Sequence, residues 1–166
     1  MTNPDLHEKL VDYLQDAHAM EQNVLKMLDS MIENSDDEVT LGMLRHHHAE
    51  TEQHEARLAR RLETIGEGTS GRKQAQTMIG GALKSVVDSV RGDKPAKNAR
   101  DGYVTEHVEI AAYELLERLA IRTGDHDTAE IARTNRADEQ AMADKIAASW
   151  DHVLDLTLAD AHVAAR

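Results

Sequence analysis

The stretch Tyr103-Val104-Thr105-Glu106-His107-Val108-Glu109-Ile110-Ala111-Ala112-Tyr113 decides how this chain is read. Taken as a helix, steps of four and three from Gly102 pass through Glu106, Glu109, Tyr113, Leu116 and Ala120, the spacing of one buried stripe. Such a stripe normally carries Leu, Ile or Val, and here two carboxylates occupy its middle. The same intrusion recurs on two other segments. Leu10, Leu14, Ala17, Glu21, Val24, Leu28 and Met31 follow the same steps, as do Thr128, Ala132, Asn135, Glu139, Met142 and Ile146. A fourth stripe runs through Leu44, His47, Thr51, His54, Leu58 and Ile65, with Leu62 beside it. Glu50 lies on the same side of that helix, about 100° round from Thr51.

Start and stop signals divide the chain around these stripes. Thr2 or Asn3 can cap a first helix that opens at Pro4 or Asp5 and runs to about Asn34. Ser35-Asp36-Asp37-Glu38 reads as a tight turn and capping box, and Gly66 as the C-terminal stop of the second helix. A weaker helical stretch, Arg72 to Arg91, is interrupted by Gly80-Gly81. The third helix spans about Pro95 to Thr123, and Gly124-Asp125 turns into the fourth. Trp150, Val153, Leu154, Leu158 and Val163 give a tail at helical spacing, fit to cap the bundle or join a dimer interface. The expectation is a single all-α domain, 1–166. It is a four-helix bundle with core helices at about 4–34, 36–66, 95–123 and 125–147, a helical crossover at 67–94 and a tail at 149–164.

Composition agrees. At 166 residues the chain suffices for one well-formed core, with two Pro and no Phe, so Leu, Val, Ile, Met and Ala must fill it. The absence of Cys excludes disulfides and thiolate ligands and suits a reducing cytoplasm. No signal-peptide pattern opens the chain and no apolar run approaches a membrane span, so a cytoplasmic location is expected. A formal charge of −12 argues against nucleic acid as a partner. Residues 67–100 run the other way, with seven Lys or Arg against three acids. That segment is expected to dock on its own acidic bundle or on a second copy, and a homodimer is expected.

Four carboxylates on buried stripes need a counter-charge, because burying even one unpaired costs several kcal/mol and crowding adds repulsion. Arg is scarce on these stripes. Two divalent cations would balance Glu21, Glu106, Glu109 and Glu139, and carboxylate with imidazole suits iron or manganese. The candidate metal ligands are Glu21, Glu50, His54, Glu106, Glu109 and Glu139. The run His46-His47-His48 reads as a solvated face, with at most His47 turned inward. His18 and His107 read as surface or supporting groups, Tyr103 and Tyr113 as packing with a supporting hydrogen bond as the minor reading, and Met142 as core.

At these residues the chain resembles the rubrerythrin-like ferritin superfamily. Glu106-His107-Val108-Glu109, followed 33 residues later by Glu139, is similar to the second half of such a bundle. Glu50-Thr51-Glu52-Gln53-His54 with Arg57-Leu58 is similar to the Glu-x-x-His-x-x-Arg-Leu region. Together with Leu14 to Gln22, the chain looks closest to the bacterial YciE/YciF stress-associated ferritin-like family over about residues 5–147. The resemblance implies a non-haem di-iron centre, or a manganese or mixed iron–manganese one. Two positions depart from the pattern: Thr51 stands where Glu is expected, and Met142 where a His should follow Glu139. The site is then carboxylate-rich with a single imidazole.

The function these features imply is a di-metal oxidoreductase acting on ferrous iron, peroxide or oxygen in stress protection. Glu106 or Glu109 would bridge the metals, with Glu21 and Glu139 terminal or bridging. The alternative is a non-enzymatic metal-binding or structural stress protein with a partly degenerate site. A DNA-protecting mini-ferritin would need Lys94, Lys97 and Arg100 on DNA, and the net charge opposes it.

Overall fold

A computed structural model describes residues 4–66 and 94–161. Five helices follow in order: α1 (Pro4–Glu33), α2 (Glu38–Thr64), α3 (Lys94–Thr123), α4 (His126–Ala147) and α5 (Trp150–Asp160). Among the described residues no strand occurs, and no helix is long and apolar enough to cross a membrane. The expected crossover at 67–94 lies outside the described residues except for its last residue, and so does Val163 of the tail.

Short connections make α1/α2 and α3/α4 two antiparallel hairpins, and α1 packs on α3 while α2 packs on α4. The turns are chemically specified. Asp37 caps α2, accepting from the backbone N–H of Thr40 at 2.8 Å and its hydroxyl at 2.7 Å. Asp125 caps α4 in the same way through Thr128, and Arg61 of α2 reaches across to it at 2.7 Å. Between α3 and α4, Gly124 takes φ +77°, and the Asp125 N–H returns to the Ala120 carbonyl at 2.9 Å. That closure needs a left-handed residue, which glycine adopts without a Cβ clash. The tail helix packs on its own bundle: Trp150 lies edge-on to Tyr103, Thr157 accepts from the Ala96 N–H, and His152 bonds Asp37 at 2.9 Å.

The interior is layered. Leu10, Leu14, Met20, Leu58, Leu62, Leu116 and Ala132 form one apolar cluster, and Val24, Leu28 and Leu44 form another. Between them, at mid-height, every stripe changes from apolar to polar. Truncating one of the buried leucines to alanine would cost about 2–5 kcal/mol, so these clusters hold the polar layer at a fixed height.

Candidate metal centre

The polar layer receives Glu21 from α1, His47 and His54 from α2, Glu106 and Glu109 from α3, and Glu139 from α4. Glu106 is 2% exposed and the other five are 0% exposed. Their atoms form two adjoining groups. One ligand atom from each of His47, Glu106, Glu109 and Glu139 lies within 4.8 Å of the others, and the same holds for Glu21, His54 and Glu139. Glu139 belongs to both groups, so it sits between them. Nε2 of His47 is 3.3 Å from Glu106 and 3.6 Å from Glu139. Nδ1 of His54 is 2.8 Å from Glu139 and 3.6 Å from Glu21.

These atoms are close but not satisfied. Among the described residues, nine buried oxygens and nitrogens of the six side chains make no well-formed hydrogen bond, including both oxygens of Glu109 and of Glu139, and the contacts they have are ion pairs. Proteins pair nearly all buried polar atoms, so a cluster of orphans converging on one place fits a cation. In the polypeptide alone the charges are moderated by protons. Burial pushes Glu106 up to about 7 against the pull of His47, and pushes Glu21 and Glu109 up as well, with repulsion from Glu139 adding to both. Burial disfavours protonated His54, but Glu139 and Glu21 outweigh it and raise it to about 10. His47 is raised for the same reason by Glu106, Glu139 and Glu50.

The group containing Glu21 is backed by a ring of supporting contacts. Asp138 takes Nε2 of His54 at 3.1 Å and lies 3.7 Å from Arg57. Arg57 donates to Asn135 at 2.8 Å, Asn135 donates to the Tyr113 hydroxyl at 3.0 Å, and Tyr113 donates to Glu21. Tyr113 is fully buried, and burial together with Glu21 raises its phenol well above the usual range, so it remains a donor. This arrangement keeps a proton of His54 on Nε2, facing Asp138, and turns Nδ1 toward Glu139 and Glu21. Tyr113, read from sequence as packing first, thus holds a ligand candidate in place.

Two placements differ from the sequence reading. Glu50 is outside both groups. It lies one residue before the buried stripe, and its oxygens face His46 at 3.1 Å and His47 at 3.6 Å rather than the carboxylates. His47 is inside, so the layer holds two imidazoles. The signal was present: His47 stands on the stripe between Leu44 and Thr51, but the flanking histidines made the triplet read as surface. Thr51 is buried with its hydroxyl returned to the His47 carbonyl at 3.0 Å. Met142 is core. His18 pairs with Glu55 at 2.7 Å, His48 with Asp29 at 3.1 Å, and His107 with the Tyr103 carbonyl, all away from the cluster. A cavity of about 470 Å³ runs to Glu106 from the α5 end of the bundle, lined by Met27, Met31, Met43, Met142, Leu44 and Ile146 among others.

Comparison with known proteins agrees with this fold. The profile of a domain of unknown function, DUF892, matches residues 5–159. A crystal structure of a Xanthomonas campestris protein superposes with a TM-score of 0.77 at 26% identity, over 96% of this chain and 99% of that one. YcfI of Rhodopseudomonas palustris, proposed to be a structural protein, gives 0.72 at 26% identity over 85% and 92%. The E. coli stress protein YciF gives 0.73 at 20% identity over 98% and 99%.

Proposed function

The chain belongs to the DUF892 family of ferritin-like proteins, and from that premise we propose that its polar layer is a dinuclear iron or manganese centre that processes a small oxidant. His47, Glu106 and Glu109 would hold one ion, Glu21 and His54 the other, and Glu139 both. The metals would supply reversible one-electron redox chemistry. The protein's own contribution is electrostatic and steric. Four carboxylates favour the higher oxidation state by charge neutralisation, and the apolar clusters above and below exclude bulk water. Tyr113 and Asp138 orient Glu21 and His54. The methionine-lined cavity offers an uncharged molecule of peroxide or dioxygen size an approach to Glu106.

The observation that carries this reading is the convergence of nine unpartnered buried atoms on one layer. Stress protection as the setting rests on the likeness to YciF. The second reading, a metal-binding structural protein, is favoured by YcfI's description and by Thr51 and Met142 standing where the resemblance expects ligands. Anaerobic purification, elemental analysis and assays of ferrous-iron oxidation and peroxide consumption test both, with Glu106→Ala and Glu139→Ala as comparators. The expected result is about two transition-metal ions per chain and turnover lost in both variants. Bound metal without turnover leaves the structural reading, and equal turnover in parent and variants removes the enzyme.

A further inference from the structure

The six inward side chains are at most 2% exposed, so a cation reaches them either along the cavity that ends at Glu106 or through the bundle wall. Two partly exposed carboxylates touch the buried imidazoles, and they differ in company. Asp138, beside His54, also faces Arg57, whose fixed positive charge opposes an approaching cation. Glu50, beside His47, has only His46 and His47 as partners among the described residues. Its two oxygens face different partners. Oε1 meets Nε2 of His46, a side chain 61% exposed, one helical turn away on the outer face of α2. Oε2 is buried without a hydrogen bond and faces the equally unpartnered Nδ1 of fully buried His47. The other ring nitrogen of His47 faces Glu106 and Glu139.

We infer that His46 and Glu50 form the entry route for divalent cations to His47, a function separate from that of the resident ligands. An imidazole and a carboxylate one turn apart on a helix can take a hydrated cation from solvent. The two-sided carboxylate then passes it inward to His47. The methionine-lined cavity reaches the same cluster and also carries Asp36, Asp37 and Asp160 on its lining, so it is the competing path that the test has to separate from this one. This inference rests on the proposed metal centre.

The test is the rate of Co²⁺ loading into the metal-free full chain, followed by visible absorption in stopped flow, with the final stoichiometry measured separately. His46→Ala and Glu50→Gln are each expected to slow loading, the latter by about 10-fold or more, with final stoichiometry unchanged. A Met31→Trp change in the cavity wall should leave the rate alone. His46 is exposed, so its replacement leaves the fold intact and keeps the test valid if Glu50→Gln is poorly behaved. Unchanged rates in both α2 variants overturn the entry route while leaving the centre standing. A lower final stoichiometry in Glu50→Gln makes Glu50 a resident ligand and also overturns it, as does slowing in Met31→Trp alone. A parent chain that takes up no Co²⁺ removes the metal centre and the route together.

Discussion

The two groups of the polar layer share Glu139 but are built differently. On the Glu21–His54 side each ligand candidate has a named support, Tyr113 for Glu21 and Asp138 for His54, and Asn135 and Arg57 link the two supports. On the His47 side the acids Glu106 and Glu109 have no comparable backing among the described residues. Both oxygens of Glu109 are orphaned, a cavity opens at Glu106, and Glu50 alone stands behind His47. A carboxylate held by other protein groups keeps its position whether or not a cation is present, whereas an unbacked one is free to shift. The first group has the makings of a retained position and the second of an exchangeable one.

The largest effect expected is from the shared residue. Glu139→Ala should take the metal content from about two ions per chain to none, read by elemental analysis; one ion remaining would mean the groups do not share it. Next, Glu21→Ala and Glu109→Ala should each remove one ion and retain the other, separable by titration calorimetry. Removing only the support is milder. Tyr113→Phe should weaken binding about 10–100-fold on the Glu21 side and leave the other affinity unchanged, and equal weakening on both sides would erase the distinction.

Protons test the layer without metal. Glu106 is held at about 7 and His54 at about 10, and Glu21, Glu109 and His47 are also raised. The folded state therefore binds more protons than the unfolded state above the ordinary carboxylate range, and its stability falls as pH rises. That stability is fully present below about 4.5, the unfolded value for Glu, and is lost through about 7 for Glu106 and through about 10 for His54. The metal-free melting temperature should drop by roughly 5–10 °C between pH 5 and 9, and bound metal should reverse the trend because it competes with protons. A flat metal-free profile would mean the acids are already neutralised by something else. The smallest effect belongs to Thr51→Val, which lies between the two groups and whose hydroxyl serves only its own helix. It should leave metal content unchanged and cost under about 1 kcal/mol in denaturant melts.

Much of this was legible in the chain because helical spacing is rigid. Glu21, Glu106, Glu109 and Glu139 fall on stripes whose other members are mostly apolar, and a residue in the middle of such a stripe points inward. His54 is placed by the same geometry. Glu50 and His47 were harder. A residue 100° off the stripe can turn either way, and the place of His47 on the stripe was masked by the histidines on either side of it. Tyr113's bond to Glu21 joins residues far apart in sequence, and no spacing on one helix reveals it.

By itself the sequence determined that four helices would meet with acids at their centre, since periodicity and caps act within a few residues along one chain segment. The pairing of His47 with Glu106, the sharing of Glu139 and the ring that steadies Glu21 were decided only by how the helices turn against one another. Those contacts depend on rotations of one helix about its axis relative to the next, and packing across the whole core sets them.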